Sequence, residues 1–500
     1  MSIKKSNLIA LLLISMAVFS LQSSVAQNTS FTLSDYRNPK YFYQTLDLNF
    51  GLNNSSNIQK NDNSSNFYNL KSHMLAANAQ ANYSIYANSR KSQSEFFAYL
   101  NGSFVSNGLH NLSELTNSES RQSYFSNNQT FSFGGLKRFY NDKRNYFEIG
   151  GSFSNSHSGN LTKNKSLNND IITFQTKGNV RSFYSNSNVV LHIGKGRIEQ
   201  VQDARMAFYL IEDLNQLNRD KRPASEDDVL ELAKLITSLK YKRFFDNRLR
   251  KIAEITAIDS FMQQKGIVSS ADATYFTSLN DNWDFANNPV RNSGWRIFTG
   301  VEGGFGYNYS KNQAEYMIPS QSTQDQSYAN NRLNVFLVAG LDYEKPINLK
   351  WQNSASIKAQ FGSWTTKSIN TALGAADVNT YIGESPIMGL SASYGFGYYP
   401  NSRTWLTADW ALSSGYNKQF TGTSKSDKEN STNSFIIYTG PSAHAYYYLS
   451  EKLRLSINFT GYLQLNNDNY IINIPENSDN NQTKTTWDFH LDASITYSLF

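Results

Sequence analysis

From Trp487 to Leu499 the chain alternates without a break. Trp487, Phe489, Leu491, Ala493, Ile495, Tyr497 and Leu499 are apolar, and Asp488, His490, Asp492, Ser494, Thr496 and Ser498 between them are polar. Strict period two predicts a β-strand with one greasy face and one wet face. The run outlasts the usual strand of about five or six residues. It also reaches the roughly nine to eleven tilted residues that carry a strand across a bilayer.

The same alternation recurs upstream. Trp351, Ala355, Ile357, Ala359 and Phe361 interleave with Gln352, Ser354, Ser356, Lys358 and Gln360, and Leu453 to Leu465 repeats the pattern. Read this way the chain holds fourteen strands, in two groups, Lys40–Gly194 and Gly294–Phe500. Connection lengths alternate too. Long polar connections are expected at Asn53–Asn66, Gly108–Gln122, Ser158–Ile171, Lys311–Ala329, Lys367–Val378, Gln419–Ser431 and Asn466–Lys484. Short ones fall at Asn88–Lys91, Asn141–Asp142, Glu344–Leu349, Pro400–Ser402 and Ser450–Glu451. Short turns on one side and long loops on the other are how membrane-spanning barrels are built. The expected fold is therefore an all-β transmembrane barrel of about 14 antiparallel strands, with an α-helical insertion between strands 6 and 7.

Composition agrees. The chain is 39% hydrophobic and 14% aromatic, with 31 Tyr and 32 Phe, yet its mean hydropathy is −0.52. Lipid-facing residues that alternate with polar lumen residues keep the average low, and aromatic girdles use Tyr and Phe. Lys4 and Lys5, the apolar run Leu8–Leu21 and the small residues Ser24-Val25-Ala26 read as a cleaved signal peptide over 1–26. There is no cysteine, which excludes disulfides, thiolate metal sites and a cysteine nucleophile. A net charge of +6 is modest for this length and gives no reason to expect nucleic acid.

The interval 195–293 breaks the strand pattern. Ile198, Val201, Ala204, Phe208, Ile211 and Leu214 follow helical spacing, and Pro223 ends that run. Ser225-Glu226-Asp227-Asp228 reads as a helix start with an acidic first turn. The apolar face changes phase near Lys240–Lys242, predicting two helices, with Gly266 ending the last and Asn280–Pro289 an irregular linker. The expected organisation is 27–194 and 294–500 as the two parts of the barrel, with 195–293 in the periplasm or folded into the lumen.

The terminal strand with its final Phe500 resembles the closing strand of Gram-negative outer-membrane β-barrels, although Phe500 lies one residue out of phase with the apolar face. The insertion resembles a segment of uncharacterised outer-membrane barrel proteins, through GKGRIEQVQDA at Gly194–Ala204 and RFFDNRLR at Arg243–Arg250. The strand count also resembles long-chain fatty-acid channels. Their Asn-Pro-Ala motif is here only Asn38-Pro39-Lys40, and their plug is N-terminal rather than central. These resemblances imply an outer-membrane location and the lipid bilayer as partner.

No catalytic constellation emerges, so no enzyme activity and no cofactor are expected. The histidines (His73, His110, His157, His192, His444, His490) show no metal-ligand spacing, and His192 and His490 fall on polar strand faces. Gly300, Gly303, Gly304 and Gly306 lie in a strand and suggest close packing rather than a phosphate loop. The one charged cluster is Lys240, Lys242, Arg243, Arg248, Arg250 and Lys251, against Asp246. It could contact lipid phosphates, a periplasmic protein or peptidoglycan. The plainer reading, and the one preferred, is a solvated helix face, with Arg248 pairing internally to Asp246 or Asp259. Two functions follow from this reading. One is a channel for passive or gated passage of small solutes, with the insertion as plug or gate. The other is a membrane-anchored adaptor whose helices bind a periplasmic partner or the cell wall.

Overall fold

A computed structural model describes residues 32–63, 66–113, 117–240, 247–269, 271–285, 291–318, 321–372, 379–422, 430–450, 453–471 and 480–497. The expected signal peptide, 1–26, lies outside them. Fourteen strands form one sheet in chain order, β1 to β14, every neighbour antiparallel. They are β1 Tyr41–Asn63, β2 Asn66–Ser89, β3 Ser92–Ser113, β4 Ser118–Tyr140, β5 Asn145–Asn168, β6 Ile171–Gln200 and β7 Asn292–Ile318. β8 Ser322–Pro346, β9 Trp351–Ala372, β10 Asn379–Tyr398, β11 Thr404–Gly422, β12 Asn430–Tyr448, β13 Leu453–Ile471 and β14 Asn480–Tyr497 complete it. Among the described residues β14 forms no ladder with β1. The sheet is nonetheless strongly curled, since residues of β2–β4 and of β8–β10 line one common cavity.

Most segments expected as long loops are instead strand. The β1–β2 ladder pairs Asn53 with Ala76 and continues to Asn63 against Asn66, through the whole of the first expected loop. β5 likewise runs through Ser158 to Asn168. An Asn/Ser-rich stretch suggests a turn, but a ladder satisfies its backbone groups as well as water does. With both faces polar, no alternation marks the strand. β6, at 30 residues, far exceeds the roughly ten needed to cross a bilayer.

The half of the sheet nearest the short turns is different. Its outward file on β8 is Leu333, Val335, Leu337 and Leu341, all exposed. On β7 the file runs from Trp295 through Ile297 and Val301 to Phe305. Ten steps of ~3.3 Å, tilted by ~40°, give an apolar band about 25 Å tall.

Four helices lie between β6 and β7: α1 Gln202–Gln216, α2 Glu226–Lys240, α3 Asn247–Gln264 and α4 Ala273–Phe285. They share a core containing Leu210, Leu232, Ile236, Ile258, Met262 and Leu279, all nearly inaccessible. α1 is buried almost all round, from Gln202 to Ala207 without a gap, as a helix wedged between a sheet end and other helices must be.

Local chemistry sets the helix ends. Ser225 Oγ accepts the Asp228 N–H at 3.2 Å, while Asp228 Oδ2 accepts the Ser225 N–H at 2.9 Å, a reciprocal capping box. At the end of α3, Gly266 (φ +63°) donates to Gln263 O, and Ile267 donates to Met262 O. That is a Schellman turn. Three expectations need correction here. Gly266 ends α3 but not the last helix, since α4 follows at Ala273–Phe285. Ile198 belongs to β6 rather than to a helix, because the β6–β7 ladder continues to Gln200 against Asn292. Asn280–Phe285 is the end of α4 rather than an irregular linker. Its polar residues find partners: Asn282 Nδ2 donates to Asp213 Oδ2 at 2.6 Å, and Trp283 Nε1 donates to Glu254 Oε2 at 2.8 Å.

Candidate functional site

The inner face of the apolar band is charged. Arg138 on β4 pairs with Glu148 on β5, and Glu148 accepts from or pairs with His192 Nδ1 on β6 at 2.8 Å. His192 Nε2 lies 3.3 Å from Glu302 on β7, and Glu302 meets Lys358 Nζ of β9 at 2.7 Å. One file of alternating charge thus crosses six strands. Nearer the short turns a second file joins Arg296, Asp342 and Ser356, at 2.6 and 2.8 Å. Antiparallel register causes both, since Arg138↔Glu148↔His192 and Arg296↔Asp342↔Ser356 are directly opposed on one face. These files border a cavity of about 370 Å³ whose walls include Glu95, Arg138, Arg296, Asp342 and Glu344.

Beneath this cavity the β6–β7 ladder leaves the wall. β5 pairs with β6 only as far as Lys195. Beyond it, Gly196 (φ +101°) and Gly294 (φ +126°) take backbone conformations open chiefly to glycine. A Cβ at Gly196 would lie 2.2 Å from Trp295 O, and one at Gly294 would lie 2.1 Å from Arg197 O. The freed tip reaches across to the other side of the sheet. Ile198 O accepts Gln93 Nε2 of β3 at 3.1 Å. Arg197 donates to Asn88 Oδ1 and Ser89 O at 2.7 and 2.9 Å.

The helices hang from this tip and are fastened to the other short turns. Arg291, fully buried, donates to Gln352 Oε1 at 2.8 Å, Asn348 O at 3.0 Å, Trp351 O at 2.9 Å and Leu349 O. Burial lowers its pKa to about 10, so it stays a cation at neutral pH. Tyr209 of α1 donates to Tyr399 O at 3.3 Å. Asp281 of α4 pairs with Arg403, and the Phe285 ring lies 5.7 Å from that of Tyr448. The segment before β1 adds a strap. Tyr36 is buried among the helices, its hydroxyl 2.8 Å from Thr237 Oγ1. Asn38 N–H donates to Glu199 at 3.0 Å. The β6 tip, Arg291 and the helices thus form one cap, which touches the β2–β3 connection through Arg197, the β8–β9 connection through Arg291, and the β10–β11 connection and β12 through the helices.

The charged cluster singled out in the sequence is divided. Lys240 Nζ meets Asp203 at 2.5 Å, Arg250 Nε meets Glu254 at 2.7 Å, and Lys251 Nζ meets Asp284 at 2.7 Å. All three join the helices to one another or brace one helix. Lys242 and Arg243 lie outside the described residues, as does the side chain of Arg248. His490 sits on β14 beside Asp492, 2.8 Å away, both exposed. Among the described residues no group of His, Asp or Glu is arranged to hold a metal. His192 is the one member of the inner-face file that sequence reasoning noted, on a polar strand face; Arg291, Arg197 and the rest of that file were not singled out. Arg197 lay within the resembling segment, but nothing in its neighbourhood announced a contact with β2.

No family model matches the chain, and no curated protein matches it. Among solved structures, the β domain of the Bordetella autotransporter BrkA aligns over 82% of this chain and 100% of its own, at 10% identity and a TM-score of 0.24. The translocator domain of the autotransporter NalP from Neisseria meningitidis aligns over 87% and 96%, at 9% identity and a TM-score of 0.21. The toluene transporter TodX of Pseudomonas putida aligns over 88% and 91%, at 9% identity and a TM-score of 0.25. At such scores the superpositions carry no weight, and the architecture rests on the chain's own register and face polarity.

Proposed function

We propose that the chain is an outer-membrane β-barrel that passes small solutes, closed through β1 and β14, with the helical insertion as its plug or gate. The observation that carries this reading is the inverted polarity of the sheet near its short turns. There Leu333, Val335 and Leu337 are exposed outward, while Glu148, His192, Glu302 and Lys358 interlock inward. A water-soluble sheet buries the first set and solvates the second. A membrane channel requires the reverse. Closure would also remove two long apolar edges, where Phe50 on β1 and Leu491 on β14 are 79% and 69% exposed. Short turns face the periplasm in such barrels, so the cap would close the periplasmic mouth.

Single-channel recording in planar bilayers tests this, comparing the whole protein with a form lacking Gln202–Phe285. Brief openings of the intact protein and a steady conductance after deletion are expected. If the truncated form is inserted and both are silent, the channel reading fails. The adaptor reading would then gain, supported by the extended apolar core of the helices.

A further inference from the structure

A second cavity, of about 100 Å³, opens outside the barrel at the short-turn end. Arg37, Lys143, Arg144, Lys195, Arg197 and Trp295 contribute to its lining. They come from four separate segments: the strap before β1, the β4–β5 turn, the end of β6 and the start of β7. The fold brings them together deliberately. Arg144 (φ +60°) turns its carbonyl to accept the Gly196 N–H at 3.0 Å, which seats the β4–β5 turn against the bend in β6.

Charge in this cavity is nearly all of one sign. Glu199, its one acidic lining residue, is taken up by Arg197 Nε at 3.0 Å and by the Asn38 N–H at 3.0 Å. Among the described residues Arg37 donates only to the carbonyls of Ser34 and Tyr36. Among the described residues Arg37, Lys143, Arg144 and Lys195 form no ion pair, and all four are exposed. Asp142, adjacent in the turn, is exposed and does not line the cavity.

Position identifies the ligand. Lys195 ends the outward file Leu191, Ile193, Lys195, directly opposite Ile297. Phe147, Ile193 and Ile297 are exposed just above the cavity. The cations therefore sit where the apolar band stops, with Trp295, 44% exposed, as an interfacial aromatic. One step inside the band, the Lys137 ammonium lies 4.9 Å from the Phe139 ring, turned toward the same boundary as a snorkelling lysine is. A cationic cavity at headgroup depth fits a phosphodiester, which guanidinium and ammonium groups both bind.

We infer that this cavity holds the headgroup phosphate of an acidic phospholipid in the leaflet on the short-turn side, an inference that rests on the outer-membrane reading above. Each basic residue near a membrane surface favours acidic lipid by about fivefold. The protein, reconstituted in phosphatidylcholine vesicles with a minor fraction of phosphatidylglycerol, is extracted in mild detergent. Its retained lipid is then measured by native mass spectrometry. Retained phosphatidylglycerol should exceed its bulk share about tenfold or more. The triple variant Lys143→Glu/Arg144→Glu/Lys195→Glu should fall to parity, and the milder Lys195→Ala should lose about fivefold. Lys350→Glu, a charge change at another turn of the same end, should leave the enrichment intact.

Parity in the unaltered protein overturns the inference, as does enrichment that survives both cavity variants. If inorganic phosphate displaces the lipid completely at equal concentration, the site is a free-anion site and the lipid assignment falls. Failure of the unaltered protein to insert into vesicles overturns the membrane reading itself. Insertion with parity overturns only the lipid site.

Discussion

If the proposed channel is gated by its cap, replacing Arg291 by Ala opens it while leaving the sheet folded. Its guanidinium makes four hydrogen bonds to the β8–β9 connection and the start of β9. It also lies 4.7 Å from the Tyr399 ring. A hydrogen bond from a charged donor is worth about 1.5–3 kcal/mol, and each abandoned buried carbonyl costs about 1–3 kcal/mol. Against this, the variant escapes the desolvation of a buried cation, several kcal/mol. The difference leaves about 3–5 kcal/mol lost from the cap's attachment. Even 3 kcal/mol multiplies the detached population by about 150-fold. Single-channel open probability should therefore rise steeply, with trypsin cutting the helices sooner. Arg291→Lys keeps the charge but reaches fewer carbonyls, and should fall between. An unchanged open probability, in a variant whose folded barrel band and proteolysis match the parent, would refute the attachment argument.

Three further outcomes are expected. Gly196→Ala should cost about 2 kcal/mol or more, because φ +101° and the Trp295 carbonyl leave no room for a Cβ; a urea midpoint equal to the parent's would mean that the bend is not needed. The capping box should give the helices an acid limit. Arg222 holds the Asp228 carboxylate down at about 2. Because that value is lower folded than unfolded, its stabilisation is complete above about pH 4 and disappears as pH falls through about 2. Hydrogen exchange in the first turn of α2 should quicken over that window, and Ser225→Ala should cost about 1 kcal/mol at neutral pH; flat exchange would count against the box. Glu302→Gln should shift ion selectivity toward anions, since Lys358 and His192 lose the carboxylate they share; a reversal potential that does not move in a salt gradient would place the ion path elsewhere.

Strand number and the interval holding the helices were legible because each repeats a local period. Trp351 to Phe361 needs only its own alternation to declare a strand. Ser225 and Gly266 were equally readable, since a cap is a transaction among residues three or four apart. The distal ladder was not. In β5, His157, Ser158, Gly159 and Asn160 are paired strand, yet polarity on both faces erases the period that would mark it. Ile198 misled for the opposite reason. It fits a helical stripe by spacing, but two glycines at positive φ and a partner ninety-odd residues away keep it in a ladder.

The same logic explains why the charged cluster looked like a site and the cavity did not. Six cations within twelve residues are conspicuous in a sequence. Yet the described ones answer carboxylates within the insertion, Asp203 and Asp284 on other helices and Glu254 one turn along the same helix. Arg37, Lys143 and Lys195 are scattered over 159 positions, Arg37 to Lys195, and only the bend at Gly196 makes them neighbours. Linear charge density measures what helices in one unit must neutralise. Charge left over for a ligand accumulates where separate segments meet without an acid between them, and that quantity belongs to the fold.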